Sequence, residues 1–241
     1  MTAVFKNSKF QIMGLLLLGI VLRLINLGRE SLWLDEAISF LAAQLPLTQI
    51  ANSTVQSSHP PLYYLLLHVW LDLVPDTDTA VKLISALWGI LLIPATYFLC
   101  QKLFNNRTLS LTAAALTAVS PFHILYSHEL RMYTQLMVLV VGGTAAYWHA
   151  RQRMTVRWWL LTGLLFLAAV YTHLFAFLAL AGVGLHALLE MQQDKRAFWA
   201  TAAMTAVILG CFVPWLSLML VEAEPALGSL RPLQSPEILN P

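Results

Sequence analysis

Two adjacent carboxylates directly follow the first long apolar run of the chain. Asp35 and Glu36 lie in the segment Trp33-Leu34-Asp35-Glu36-Ala37, within a sequence that is 59% hydrophobic and only 11% charged. A solvated acidic loop at a helix end is the simpler explanation, but the apolar flanks favour a pair held against a membrane. Because a carboxylate held at such a boundary can act as a general base, we predict that Asp35 and Glu36 form the catalytic half of a site.

Two histidines are further candidates for this site. His59 begins the segment His59-Pro60-Pro61-Leu62-Tyr63-Tyr64. Proline in a first turn is a helix-start signal and tyrosines collect at membrane interfaces, so a rigid helix entry explains the motif equally well. His173 ends the segment Tyr171-Thr172-His173 at a later turn, where a capping histidine is the simpler explanation. The functional alternative for both histidines is a place in the same site on the outer face.

A third polar group lies in a short connection, residues 127–131, between two apolar runs. Ionisable side chains at such a place are costly unless they are paired or functional. Glu129 and Arg131 therefore either pair with each other or bind ligands. In the second case, Arg131 binds a phosphate and Glu129 contacts a cation or a sugar hydroxyl. Tyr133, at the start of the next run, is a further candidate for this site.

The composition indicates the environment of these groups. The mean hydropathy of the 241 residues is +0.70, and one soluble core cannot bury so many apolar side chains. We therefore predict an all-α polytopic membrane protein. The net charge of +2 gives no electrostatic support for a nucleic-acid partner. Cys100 and Cys211 both lie inside apolar runs, which argues against a disulfide framework or a cysteine metal site.

The apolar runs predict a first membrane helix, a polar loop and then a bundle. The first run, residues 10–27, is too long for the apolar part of a signal peptide, so we expect an uncleaved helix. Short interfacial helices are expected over residues 32–45 and 47–56, within an outer loop of residues 28–79. Further apolar runs cover residues 61–74, 80–99, 109–126, 132–149, 158–171, 174–189 and 197–220. Residues 221–241 form a polar tail with four prolines.

The run over residues 61–74 decides the predicted topology. Its 14 residues reach about 21 Å as a helix, short of the roughly 30 Å hydrocarbon core. If this run does not span, nine of the fourteen lysines and arginines fall in cytoplasmic segments, as the positive-inside rule expects. These nine are Lys6, Lys9, Lys102, Arg107, Arg151, Arg153, Arg157, Lys195 and Arg196. We predict seven spanning helices with a cytoplasmic N-terminus, which places all the candidate site residues on the outer face.

The order and spacing of these motifs resemble a known family. The motifs are Trp33 to Ala37, His59 to Tyr64, Ser120-Pro121-Phe122 leading to Tyr133, and Tyr171-Thr172-His173. Over about residues 10–220 the chain resembles the bacterial integral-membrane glycosyltransferases of the GT-C superfamily. The branch concerned is related to dolichyl-phosphate-mannose protein mannosyltransferases and aminoarabinose transferases. The resemblance implies a GT-C-like transmembrane module over residues 1–220.

The resemblance also implies a reaction and a location. Members move a sugar, with inversion, from a polyprenyl-phosphate donor to a glycan, lipid or protein acceptor. They do so on the extracytoplasmic face of the plasma membrane. The Asp of their first outer loop deprotonates the acceptor hydroxyl, and Asp35 matches that position. Glu129 matches an acidic residue that contacts metal or donor in some relatives, so a divalent cation and a direct sugar contact are the two alternatives there. The leaving lipid phosphate requires a positive group: Arg131, His59 or a metal ion. With Arg131 and His59, the resemblance implies that Tyr133 and His173 bind the donor.

Two alternatives stay open from the sequence. Relatives continue for several more helices, so a chain that ends at Pro241 is expected to be a truncated or split product. A non-catalytic remnant or subunit that binds the lipid carrier is therefore the first alternative. A membrane transporter is the second, although transporters place ionisable groups near the bilayer midplane, whereas these groups collect at one face.

Overall fold

The computed structural model describes residues 8–56 and 59–229. Within these ranges the chain forms eleven α-helices and no strand, which confirms the predicted all-α fold class. The helices are α1 (Ser8–Leu24), α2 (Leu34–Ala43), α3 (Leu47–Gln56), α4 (Leu62–Leu71), α5 (Asp78–Phe104), α6 (Arg107–Val119), α7 (Pro121–His128), α8 (Tyr133–Arg153), α9 (Val156–Thr172), α10 (Ala176–Leu189) and α11 (Lys195–Ser229). The predicted interfacial helices correspond to α2 and α3.

Several helices have the length and composition of membrane spans. Among the described residues, α5 and the part of α11 up to Val221 are long and apolar enough to cross a membrane alone. Helices α6 and α7 form a third span if the bent pair is counted as one. Shorter apolar helices cover Phe10–Leu24, Leu62–Leu71, Val156–Thr172 and Ala176–Leu189. The chain is thus a polytopic membrane protein, while the number of seven spans stays a prediction.

A bend interrupts the single run that the sequence predicts over residues 109–126. Helices α6 and α7 meet at Ser120 at an angle of 50°. Pro121 has no N–H, so the carbonyl of Thr117 lacks its helical donor. The fully buried Arg23 of α1 supplies donors instead: Nη2 donates to the Thr117 carbonyl and Nη1 to the Ala118 carbonyl, each at 3.0 Å. Arg23 therefore has a structural role at the bend.

The short helices α2, α3 and α4 lie together at one end of the bundle. A buried cluster joins them to the start of α5 and to the link between α7 and α8, residues 129–132. The cluster consists of Ala43, Ile50, Tyr63, Tyr64, Leu67, Val81, Ile84, Leu130 and Met132. His68 of α4 also contacts the Ala43 carbonyl, with 2.7 Å between Nδ1 and the oxygen. We call this end of the bundle, with the link and the turn at His173, the loop end.

Basic side chains lie at the opposite end of the bundle. Arg107, at the start of α6, donates to Gln11 of α1. Arg151, in the last turn of α8, lies 3.9 Å from Glu190 and 3.8 Å from Asp194, which follow α10. These two arginines therefore lie at the end of the bundle that the predicted topology assigns to the cytoplasm, and that orientation stays a prediction. Lys6 lies outside the described residues.

The last helix extends into the predicted polar tail. Helix α11 continues through Ser229, whereas the apolar run ends at residue 220. The final part of that tail, residues 230–241, lies outside the described residues.

Candidate active site

Asp35 lies in the first turn of α2, at the loop end. Its side chain is 42% exposed, so the carboxylate is accessible to a ligand. A carboxylate in the first turn of a helix is favoured by the positive end of the helix dipole. The nearest cation is Arg131, whose Nη2 lies 3.8 Å from Asp35 Oδ2. The structure thus places the predicted base beside the predicted phosphate-binding arginine.

Arg131 itself is buried and bound to α2. Its Nη1 donates to the Asp35 carbonyl at 3.1 Å and to Ser39 Oγ at 3.0 Å. Its guanidinium carbon also lies 5.8 Å from the centre of the Tyr133 ring. The sequence suggested either that Arg131 pairs with Glu129 or that it binds a ligand. In the structure Arg131 does form an ion pair, but its partner is Asp35 and not Glu129. Phosphate binding by Arg131 stays a prediction, since these contacts already engage its Nη1.

Glu36 is buried, and both of its oxygens have partners. Oε1 accepts the Leu130 N–H at 2.6 Å, and Oε2 accepts the Trp33 N–H at 3.1 Å. Oε2 also lies 3.2 Å from Nζ of Lys82, in α5. These contacts tie α2, α5 and the link together. Because these contacts enclose the Glu36 carboxylate, they favour a role in supporting α2 and the link. The catalytic role of Glu36 stays a prediction.

Glu129 caps the C-terminus of α7 and begins the link. Its side chain is partly buried, and among the described residues it forms no ion pair within 4 Å. Burial raises the pKa of its carboxyl group, and the charge of Glu36 raises it further. Arg131 and Lys82 act in the opposite direction without cancelling these effects. Glu129 is therefore more readily protonated than a carboxyl group in water.

Aromatic and imidazole rings form one wall of the site. The ring of His173 lies 5.8 Å from that of His59 and 6.2 Å from that of Tyr133. Tyr133 in turn meets the edge of Tyr126 at 4.9 Å. Nδ1 of His173 accepts the Phe175 N–H at 3.1 Å, so the neutral ring carries its proton on Nε2. Burial, and then the charges of His59 and Arg131, lower the pKa of His173, which favours this neutral form.

The structure joins most of the predicted residues into one continuous group. Asp35 contacts Arg131, which faces Tyr133, which packs near His173 and through it near His59. Glu129 lies beside this group at the start of the link. Sequence reasoning missed Ser39 and Lys82, which hold Arg131 and Glu36. The available signal was Lys82, an isolated cation within an apolar run.

A second buried contact orients the wall. Gln135 of α8 donates from Nε2 to Thr172 Oγ1 at 2.9 Å, and both side chains are fully buried. Thr172 directly precedes His173. This bond fixes the turn that carries His173 against the helix that carries Tyr133.

A metal centre is not built by these residues. Across residues 8–56 and 59–229, no group of three or more His, Cys, Asp or Glu side chains is arranged to hold a metal ion. The charged groups that act on Glu129 are two cations, Arg131 and Lys82, and two anions, Glu36 and Asp35, so the cations offset the anions there. We therefore assign no step to a divalent metal.

Comparison with known proteins identifies the family of the chain. A family model described as dolichyl-phosphate-mannose-protein mannosyltransferase matches residues 58–218, about two thirds of the chain. The match includes His59, the link and His173, and it begins after Asp35 and Glu36. No curated protein matches the chain. The family implies a lipid-linked sugar donor and a membrane setting. The chain belongs to the dolichyl-phosphate-mannose-protein mannosyltransferase family and is a membrane glycosyltransferase of the GT-C type.

Proposed function

We propose that this protein transfers a sugar, with inversion, from a polyprenyl-phosphate donor to an acceptor hydroxyl on the extracytoplasmic face of the membrane. One observation carries the proposal: the half-exposed carboxylate of Asp35, at the start of α2, is held from behind by the buried Arg131. Family membership supports the transferase class. The position of this pair at the loop end, opposite the end that carries Arg107 and Arg151, supports an outward-facing site.

Asp35 acts as the general base in the proposed reaction. Its carboxylate takes the proton of the acceptor hydroxyl as the acceptor oxygen attacks the anomeric carbon of the sugar. The bond between that carbon and the phosphate oxygen breaks, and its electron pair leaves with the polyprenyl phosphate. A single displacement inverts the anomeric carbon and needs no covalent sugar–enzyme intermediate, so one base is sufficient.

The rings of His59, Tyr133 and His173, which we call the ring wall, hold the leaving group in this proposal. Negative charge develops on the phosphate as the bond breaks, and hydrogen-bond donors directed at that charge lower the activation barrier. His173 offers its Nε2–H and Tyr133 its hydroxyl, while His59 lies beside them and Arg131 adds a positive charge behind Tyr133. Glu129, which is readily protonated, binds a hydroxyl of the donor sugar.

The proposed setting is the plasma membrane, with the N-terminus in the cytoplasm and the loop end outside. The acceptor is a glycan, a lipid or a protein that reaches the loop end. The two substrates come together at Asp35. The sugar donor lies along the ring wall, and the acceptor approaches the exposed side of the Asp35 carboxylate.

The direct test is sugar transfer by the purified, reconstituted full chain. Radiolabelled mannosyl polyprenyl phosphate is supplied in liposomes with lipid, glycan and peptide acceptors, and the anomeric configuration of the product is determined by NMR. We expect label in an acceptor fraction, with configuration opposite to that of the donor. Transfer with retention contradicts the single displacement. Donor binding without turnover contradicts the proposal and favours a carrier-binding subunit, whereas donor movement across the bilayer without transfer favours a transporter.

A further inference from the structure

A buried ion pair lies directly beneath the candidate active site. Lys82, near the start of α5, is 4% exposed, and Glu36 is 1% exposed. Nζ of Lys82 lies 3.2 Å from Oε2 of Glu36 and donates to the Glu30 carbonyl at 3.1 Å. Removing two charges from water is costly, and such a pair is a weak source of stability by itself. Its position in the fold indicates a different use.

The pair joins segments that carry the two central groups of the site. Glu36 follows Asp35 directly in α2, and its Oε1 accepts the N–H of Leu130. Leu130 directly precedes Arg131 in the link. A displacement of the Glu36 carboxylate therefore shifts both Asp35 and Arg131.

Helix α5 supports the link at a second point, one turn after Lys82. Ser85 Oγ donates to the Arg131 carbonyl at 3.5 Å, and the Ser85 carbonyl accepts from Thr134 Oγ1 at 3.1 Å. Ser85 thus contacts the link directly, whereas Lys82 acts on the link through Glu36. Of these two contacts, Lys82 is the one that also reaches α2, because it holds Glu36.

We infer that Lys82 is a positioning residue for the transfer reaction: by holding Glu36, it sets the placement of Asp35 on α2 relative to Arg131 in the link. The inference rests on the proposed function. Lys82 contacts neither the carboxylate of Asp35 nor the guanidinium of Arg131, and it acts through the Glu36 carboxylate. Its ammonium group is enclosed by Glu36 and the Glu30 carbonyl, so it is not a donor to substrate.

The test compares three variants of the full chain, purified and reconstituted in liposomes. Lys82→Met removes the cation but keeps a long side chain, and Lys82→Arg keeps the charge. Lys102→Met is the matched control, since Lys102 is an exposed lysine in the last turn of the same helix. Two quantities are measured: hydrogen–deuterium exchange of the peptide covering residues 129–132, and kcat and KM for sugar transfer. The exchange measurement does not depend on activity.

Lys82→Met leaves a buried carboxylate without its cation, so the link loses its anchor. We expect exchange within residues 129–132 to accelerate about tenfold or more, while exchange in α9 and α10 stays unchanged. We expect kcat to fall on the order of 100-fold and KM to change much less, because Asp35 and Arg131 move while Tyr133 and His173, outside the link, still contact the sugar donor. Lys82→Arg should keep both the exchange rate of residues 129–132 and kcat near their wild-type values. Lys102→Met should match the wild type in both.

Three results would overturn the inference. The first is unchanged exchange in residues 129–132 of folded Lys82→Met; the second is equal acceleration in every helix, which indicates general destabilisation. The third is a normal kcat despite faster exchange in the link. Should Lys82→Met fail to fold, Lys82→Gln keeps a donor for Glu30 and carries the same expectations. Absence of transfer by the wild type would contradict the proposed function instead. The exchange data would then still show whether Lys82 holds the link in place, so the two failures can be told apart.

Discussion

Arg131 holds α2 through its contacts with Asp35 and Ser39, which we call the clamp. Replacing Arg131 should therefore lower the stability of the protein measurably. In Arg131→Met, the Asp35 carbonyl and Ser39 Oγ lose a charged donor at 3.1 and 3.0 Å. Hydrogen bonds to charged groups contribute about 1.5–3 kcal/mol each, and they are not additive. The ion pair at 3.8 Å adds at most about 1 kcal/mol, because the Asp35 side chain is 42% exposed and water screens it.

The methionine side chain recovers part of this loss, since it needs no desolvation of a buried charge. The balance is a decrease of about 2–4 kcal/mol in the free energy of unfolding. Arg131→Lys keeps the charge but not the forked geometry, so we expect about half of that decrease. Arg29→Met is the control, since Arg29 is exposed and its replacement should change the free energy by less than about 0.5 kcal/mol.

Denaturant-induced unfolding of the detergent-solubilised variants, followed by tryptophan fluorescence, measures these differences. The reasoning predicts the order of stability wild type, Arg131→Lys, Arg131→Met. An Arg131→Met protein as stable as the Arg29→Met control would refute the clamp and, with it, the claim that Arg131 holds α2 in place.

Two further predictions concern charge and topology. The raised pKa of Glu129 means that its contribution to stability is present below its ordinary pKa of 4.5 and is lost as the pH rises through the folded-state pKa. Glu129→Gln should therefore be more stable than the wild type at pH 8 and equal to it at pH 4; a stability difference that does not change with pH would contradict this reasoning. In an otherwise cysteine-free chain, Asp76→Cys should react with an impermeant thiol reagent from outside and Asn106→Cys should not; the reverse labelling would place α4 across the membrane.

The sequence was sufficient to predict the fold class and the short helices of the loop. The reason is physical: apolar runs and their lengths determine whether a segment lies in lipid or at its surface. The observed α3, Leu47–Gln56, has the predicted bounds, and α2 differs from its predicted range by two residues at each end. Prolines were harder to interpret, because Pro121 begins α7 at the break after α6, whereas Pro94 lies inside the continuous helix α5. Arg23 stabilises the break at Pro121, and no local pattern reveals that partner.

The candidate site was predicted as a set of residues, but not as a set of contacts. Motif order grouped Asp35, Arg131 and His173 correctly in space, because helices that alternate in direction return to the same end. The choice of partners depended on packing between segments nearly 100 residues apart. Arg131 therefore pairs with Asp35 and not with Glu129, and Glu36 is enclosed by Lys82. An isolated lysine in an apolar run is a signal that a buried partner exists, although it does not name that partner.

The role of Asp35 as general base is tested most directly by sugar transfer in Asp35→Asn. Asparagine keeps the size of the side chain and cannot take the acceptor proton. The matched control is Asp76→Asn, since Asp76 is an exposed carboxylate in the same loop of residues 28–79. The account predicts that Asp35→Asn remains folded and loses transfer by about 100-fold to 10,000-fold, whereas Asp76→Asn retains wild-type activity. Undiminished transfer by Asp35→Asn would contradict the central claim.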